Sequence, residues 1–297
     1  MADEVIATGK TKRVVRGSAP GTVRLEAIDR LTGGDAARMS EIEAIGRAKT
    51  RQAANAFGVI ARAGVPTAFI EEAAPDTLLC RACRMLPLEF VVRRYAFGSY
   101  LKRNPEAEAT PPKRFDTPVS EVFHKHSLVM PPHVPEPTQM DEGDARDRFL
   151  KDGAWPDGIY ADPYVKTDPD AWGLYNPKAP VTGAPLLIIA PTLSEADLRT
   201  AIEEIVLPAF TALEEAWSRI ETAHGPVALV DIKIELGLDE ETGKLLLADV
   251  VDNDSWRVWP GADPARRLDK QAFRDGAPEA EVKENYALVT QLTERFA

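Results

Sequence analysis

VDIKIELG at 230–237 and LLLADVV at 245–251, joined through DEETG at 239–243, decide how this chain is to be read. Both runs are apolar-rich and a glycine turn separates them, which predicts paired strands over 226–237 and 244–251. Side chains alternate faces along a strand. Asp231, Lys233 and Glu235 therefore share one face, and Ile232, Ile234 and Leu236 the other. On the return strand Leu245, Leu247 and Asp249 share a face. A half-exposed hairpin with a solvated charged face explains most such patterns. Here the return strand is apolar at nearly every position, as in a strand covered on both sides. Acidic groups in a covered hairpin need a cation or a lysine partner. Glu235 and Asp249 offer hard oxygens suited to Mg²⁺, and Lys233 is placed to steady a phosphate or the Asp231 carboxylate.

Outward from the hairpin, residues 3–29 predict two strands around a turn at 17–21. Residues 47–63 predict a helix: Ala53, Ala54, Phe57, Ile60 and Ala61 make an apolar stripe, Gly64 can cap its end, and Pro66 blocks continuation. Strands follow over 67–73 and 77–97. From Asn104 to Pro191 lie 15 of the 24 prolines. Proline lacks a donor and fixes φ, so this stretch reads mostly as loop, with 128–158 a surface excursion of no strong period. Ser194, with Asp197 at the capping-box position, starts a helix that Pro208 should kink or split. Residues 279–295 predict a terminal amphipathic helix. Hairpins and helices come in blocks, so the fold class is α+β in two lobes.

Composition narrows the function. The 297 residues are 44% hydrophobic and 28% charged, which excludes a disordered or collagenous chain. A net charge of −11 argues against a nonspecific nucleic-acid binder. It also requires basic residues to be concentrated locally around any anionic substrate. No apolar run reaches the roughly 18 residues of a membrane helix. MADEVIATGK lacks the basic and apolar regions of a signal peptide, and two cysteines make no disulfide framework. A reducing cytosol is the expected compartment.

Basic residues are concentrated in RRYAFGSYLKR at 93–103, four positive charges with no acid. Gly98-Ser99 interrupts the strand there and can start a helical turn that offers N–H groups to an anion; a solvated basic face is the plain alternative. Thr8-Gly9-Lys10-Thr11-Lys12 puts two lysines at a glycine turn, a phosphate-covering pattern that is no Walker A loop. DNDSWR at 252–257 and DKQAFR at 269–274 add charge after the hairpin. Cys80 and Cys83 form a lone CxxC and read as structural, and His124 and His126 have no convergent carboxylate. GxSxG, HExxH and GxGxxG are missing.

Taken in order, these segments resemble the SAICAR synthetase family of purine biosynthesis. The residues carrying the resemblance are Gly9-Lys10-Thr11-Lys12, the stretch from Asp29 through Gly34-Asp35-Ala36-Ala37-Arg38, MLPLE at 85–89 running into Arg93–Arg103, Asp162-Pro163, the hairpin, and Asp269-Lys270 to Arg274. LADVVDNDSWRVWP at 247–260 resembles the animal-type form, which carries a fused carboxylase domain for which this chain is too short.

The resemblance implies a two-lobed fold, distantly kinase- and ATP-grasp-like, with an ATP cleft between lobes 1–89 and 90–297. The first lobe covers the nucleotide; the second holds substrate, metal and a proline-rich insertion near 128–158. It implies a ligase that uses ATP to phosphorylate the carboxylate of the ribotide CAIR, which aspartate then attacks to form SAICAR. Lys10 and Lys12 would meet ATP phosphates, and Met85, Leu88 and Glu89 the adenine. Glu235 and Asp249 would bind Mg²⁺. Lys233, Asp231 and Lys125 would be catalytic. Arg93, Ser99, Arg103, Asp162, Asp254, Arg257, Lys270 and Arg274 would surround the substrate, with Arg93 and Arg257 holding an anion rather than supporting the fold.

Two departures bear on this. Lys125 is followed by His126 and Ser127, where many relatives have acidic or amide residues, and Asp162-Pro163 comes only after 34 further residues. Val250 stands where bacterial-type members often have glutamate. The first departure touches the amine side, so the 128–158 insertion is expected to trim or cover the acceptor pocket. A paralogous ligase using another heterocyclic carboxylate or amine is the competing reading. A catalytically inactive nucleotide-binding protein is a third, against which Lys10, Lys233, Glu235 and Asp249 argue. The expected partners are small molecules, with no nucleic acid and no membrane; a homo-oligomer is left open.

Overall fold

The computed structural model describes residues 4–33, 38–151, 154–274 and 276–296. Gly34-Asp35-Ala36-Ala37, part of the resemblance, lies outside the described residues. Along the chain come β1 (Val5–Thr8), β2 (Lys12–Arg16), β3 (Thr22–Ala27), β4 (Arg30–Gly33), β5 (Arg38–Glu41), α1 (Ile45–Arg62), β6 (Phe69–Ala74), β7 (Thr77–Arg81) and β8 (Cys83–Tyr95). Then follow α2 (Ser99–Arg103), β9 (Arg114–His124), β10 (Ser127–Val129), β11 (Thr138–Met140), α3 (Glu142–Phe149), β12 (Ile159–Tyr160), β13 (Tyr164–Lys166), β14 (Trp172–Tyr175), β15 (Leu187–Ile189) and α4 (Glu195–Thr200). A π-helical turn, Ala201–Val206, leads into α5 (Leu207–Ser218), β16 (Glu221–Thr222), β17 (Gly225–Asp239), β18 (Leu245–Leu247), β19 (Trp256–Pro260), α6 (Gln271–Arg274) and α7 (Glu279–Thr293).

Two compact units result, Met1–Leu86 with Glu204–Ala297, and Pro87–Glu203. This differs from the expected lobes 1–89 and 90–297. The C-terminal third joins the N-terminal segment because α1 packs against both α5 and α7. Ala53, Ala56, Phe57 and Ile60 of α1 are fully buried, and Gln52 donates to the Tyr286 carbonyl at 3.0 Å.

In the first unit, an antiparallel sheet runs β1-β2-β3-β7-β6. The N-terminal segment gives three strands rather than two, because the Gly9 N–H turns back onto the Lys12 carbonyl at 2.9 Å and separates β1 from β2. β17 is the long strand of this unit and pairs with β16, β18 and β19. α5 packs on it, and Pro208 sits in the first turn of α5 just after the π-turn, so the expected split is found. The return strand of the hairpin is shorter than its apolar run. It ends at Leu247, and both Ala248 and Asp249 turn their N–H groups onto the Glu235 carbonyl, at 3.1 and 3.5 Å.

The second unit corrects the loop expectation. Its sheet runs β15-β14-β13-β9-β8, and a small sheet runs β11-β10-β12. The prolines sit where strands tolerate them. Pro118 lies where the β8–β9 register slips between Val119 and Arg114, Pro163 just precedes β13, and Pro185 and Pro191 flank β15. The described residues of 128–158 therefore include β11 and α3. Leu128, Val129 and Ala145 are buried in this segment, as is Ile159 just beyond it.

Gly237 marks a close approach in β17. A Cβ there would lie 2.8 Å from that of Cys83, 3.2 Å from that of Ala248 and 3.2 Å from the Met85 sulfur. Two of these neighbours are short, stiff side chains that cannot swing away. Gly237→Ala is expected to cost about 1–3 kcal/mol, read as a lower urea midpoint at unchanged slope; a wild-type midpoint would show that the strands part freely.

Candidate functional site

Site residues of the first unit gather around β17. Lys12, at the start of β2, forms an ion pair with the Asp249 carboxylate in the bend after β18. Lys233 Nζ lies 2.5 Å from Glu235 Oε1, and Arg257 Nη1 lies 2.5 Å from Asp231 Oδ2 across the β17–β19 ladder. Asp231 and Glu235 are each 4% exposed, so the covered hairpin is what the structure contains. Burial of this kind is tolerated because each carboxylate has its cation.

The loop after β18 carries a second cluster. Asp254 accepts from the Tyr286 hydroxyl at 2.5 Å and faces Lys270 Nζ at 3.3 Å and Lys49 Nζ at 3.6 Å. Burial alone would raise the Asp254 carboxyl, but Lys270 and Lys49, with the Tyr286 hydroxyl, hold it well below the usual carboxylate range. Its neighbour Asp252 goes the other way: burial, then the Asp254 charge, pushes it up. Gln52 fixes the loop by accepting from the Asn253 N–H at 3.0 Å. A small pocket open to solvent is lined by Lys12, Lys49, Thr50, Leu78, Val250 and Asp252, among others. Lys10 is half-buried, Lys270 buried and Arg274 exposed.

Among the described residues, no group of three or more His, Cys, Asp or Glu is arranged to hold a metal. Glu235 and Asp249 carry the kind of oxygen donors that would suit Mg²⁺. They are hard donors brought to neighbouring positions, and each already attracts a cation.

In the second unit the basic segment is neither solvated nor short of an acid. Glu121 of β9, 5% exposed, accepts from Arg93 Nε at 2.5 Å and from Arg103 Nη2 at 2.6 Å. Arg93 also donates to the Ser99 hydroxyl at 3.1 Å. Arg103 donates to the Pro177 carbonyl at 2.5 Å and stacks over the Phe123 and Tyr164 rings. Arg94 donates to the Phe115 and Asp116 carbonyls. Arg93 therefore supports the fold, contrary to the expectation that it only holds an anion. An arginine on a strand buried to 2% exposure needs a carboxylate there.

Lys125 and Asp162 become neighbours despite their separation. Phe123 pairs with Tyr164, and the His124 N–H donates to the Pro163 carbonyl at 3.0 Å. Asp162 holds a left-handed φ of 47°, unusual outside glycine. His124 is buried, and its Nδ1 lies 3.1 Å from the Gln139 amide of β11 and 3.3 Å from the His126 N–H. Burial, helped by His126, pushes the His124 imidazole down to about 4. Leu88 is fully buried, Glu89 is half-buried, and Met85, which belongs to the first unit, is exposed.

Lys49, Asp252, Glu121 and Gln139 are absent from the sequence-based site. Lys49 had a signal, a charge four residues before Ala53 in the apolar stripe of α1. Glu121 and Gln139 had none, since their partners lie across a sheet.

The SAICAR synthetase family profile matches residues 5–138 and 187–291, which leaves Asp162 outside the matched stretches. A Chloroflexus aurantiacus protein named phosphoribosylaminoimidazole-succinocarboxamide synthase is 36% identical over 298 residues, covering 98% of this chain and 96% of that protein. A bifunctional phosphoribosylaminoimidazole carboxylase/succinocarboxamide synthetase of Rattus norvegicus is 32% identical, covering 90% of this chain and 51% of the rat protein. Among solved structures, a type-2 SAICAR synthetase in complex with ADP superposes with a TM-score of 0.67 at 22% identity, covering 98% and 97% of the two chains.

Two outcomes are expected from the second unit. Glu121→Gln leaves two buried guanidinium groups short of charge and should cost about 3–5 kcal/mol, read by thermal melting; an unchanged melt would mean that the arginines find other partners. The His124 proton gives a pH signature. Its folded value lies below 6.5, so the unfolded chain binds the proton first. Stability is full above that value and falls by up to about 2 kcal/mol as the pH drops toward 4. His124→Asn should flatten that part of the stability profile, and an unaltered slope would assign it to another group.

Proposed function

The chain belongs to the SAICAR synthetase family, and from that premise we propose how its own residues run the reaction. It is an ATP-dependent ligase that forms SAICAR in purine biosynthesis. A CAIR carboxylate oxygen attacks the γ-phosphorus of ATP, giving an acyl phosphate and ADP. The amine of aspartate then attacks the carbonyl carbon, the C–O bond to phosphate breaks, and the amine proton is lost. Activation is needed because a carboxylate is a poor electrophile and oxide a poor leaving group.

Lys10 and Lys12 hold ATP phosphates, and Glu235 and Asp249 would hold Mg²⁺, which would supply positive charge against the developing phosphate charge. Lys233 lies beside the metal carboxylate and steadies the transferred phosphoryl group. Arg257 is oriented by Asp231, and Lys270 by Asp254; with Arg274 they supply positive charge for the ribotide phosphate. Lys125 and Asp162 serve the amine. The cytosol is the compartment this reading implies, and no helix among the described residues is long and apolar enough to cross a membrane.

The observation that carries the reading is the ion pair of Lys12 with Asp249, 237 residues apart. It unites the phosphate turn with the metal hairpin inside one unit. His126 and Ser127 after Lys125, where many relatives have acidic or amide residues, favour a second reading in which the amine differs from aspartate.

One assay tests both: ADP release with CAIR, Mg²⁺ and a panel of amines. Aspartate should give the highest kcat/KM, and chelation of Mg²⁺ should abolish turnover. Gln139→Ala should raise the KM for the amine by about threefold or more while leaving that for ATP unchanged. Turnover with another amine alone would install the second reading, and no ADP release with any amine would remove the ligase assignment.

A further inference from the structure

Two functions proposed for the first unit compete for the same atoms. Lys12 serves ATP phosphates and Asp249 a divalent cation, yet the Lys12 ammonium is bonded to Asp249 Oδ1. Lys233 and Glu235 repeat the arrangement at 2.5 Å. An ammonium and a divalent cation both bind carboxylate lone pairs, and an ammonium seated on a carboxylate is not available to a phosphate.

We infer that Lys12 is a resident place-holder for the divalent cation at Asp249, displaced when the metal nucleotide arrives, with Lys233 in the same part at Glu235. This rests on the nucleotide and metal roles proposed above. The charges match. Two carboxylates are neutralised by two ammonium groups, and one divalent cation replaces both. The released ammonium groups are then free to meet the negative charge of the incoming phosphates. Either half of the exchange alone is unbalanced. A cation without phosphates leaves two ammonium groups facing it, and a nucleotide without a cation sets its phosphates against two carboxylates. The exchange therefore couples metal binding to nucleotide binding, and by linkage the coupling is reciprocal.

The local structure permits this. The Lys12 and Asp249 side chains are 25% and 22% exposed, so neither is locked in the core. Lys12 follows the Gly9 turn at the very start of β2. Asp249 keeps a second restraint, since its Oδ1 accepts from the Val250 N–H at 2.7 Å, which holds the carboxylate in place when the lysine leaves.

The test is Mn²⁺ binding to the full-length protein without nucleotide, followed by water-proton relaxation. Wild type should bind weakly. Lys12→Met should bind about five- to tenfold more tightly, and the gain should vanish in Lys12→Met/Asp249→Asn. Adding ATP should tighten Mn²⁺ binding less in Lys12→Met than in wild type. Lys12→Gln is the second variant should Lys12→Met not fold. Wild-type Mn²⁺ affinity in both lysine variants, with affinity lost in Asp249→Asn, would overturn the place-holder and leave the metal site standing. Unchanged Mn²⁺ affinity in Asp249→Asn with ATP present would remove the metal assignment, and the place-holder with it.

Discussion

Carboxylates buried on a strand sealed on both faces are the constraint from which the site follows. Asp231 and Glu235 sit on β17 among Leu229, Val230, Ile232, Ile234 and Leu236, all nearly inaccessible. An ionised carboxylate removed from water costs several kcal/mol unless a cation and hydrogen bonds replace its hydration. The neighbours of β17 are therefore set by charge as much as by shape. Arg257 stands opposite Asp231 in the ladder, and Lys233 lies two residues from Glu235 on the same face. The Glu235 carbonyl takes two N–H groups, from Ala248 and Asp249, so the chain leaves β18 there. That departure puts Asp249 in a bend, where Lys12 reaches it.

The second unit obeys the same rule with the signs reversed. Arg93 and Arg103 are buried cations, and Glu121 is the acid that makes them tolerable. One carboxylate between two guanidinium groups leaves a net positive charge. Part of it is spread over the Phe123 and Tyr164 rings against Arg103, where the π faces favour a cation. Ser99 receives Arg93 at the first turn of α2, so a charge pattern set in β8 and β9 also fixes where α2 begins.

What the sequence revealed and what it hid divide along the range of the interactions. Periodicity is local, and it located α1, α7, β17 and the broken helix at Pro208 to within a few residues. The covered hairpin, with Asp231, Lys233 and Glu235 on one face, was also legible, because alternation and apolar content suffice. Partners across a sheet or between helices leave no local trace. Arg93–Arg103 looked like a basic patch because its acid comes from β9, 28 residues beyond Arg93. Lys49 and Asp252 are brought to one pocket by the packing of α1 and the loop after β18. Prolines misled in the middle of the chain because they lie at strand ends and at a register slip, where the missing donor costs nothing.

The departure at His126 and Ser127 and the long separation of Lys125 from Asp162 are one feature, not two. β9 ends at His124 and pairs with β13 through Phe123 and Tyr164, so the two acceptor-side residues are neighbours across a ladder whatever lies between them. The intervening chain leaves through Ser127, the first residue of β10, and returns through β12, which pairs with β10 at Leu128 and Val129. An antiparallel pair closes at its base, so a sheet can be looped out there without moving the strands beneath it. Residues 125 and 126 join β9 to the small sheet of β10, β11 and β12. The Gln139 amide on the His124 ring is the contact by which β11 reaches back to the end of β9.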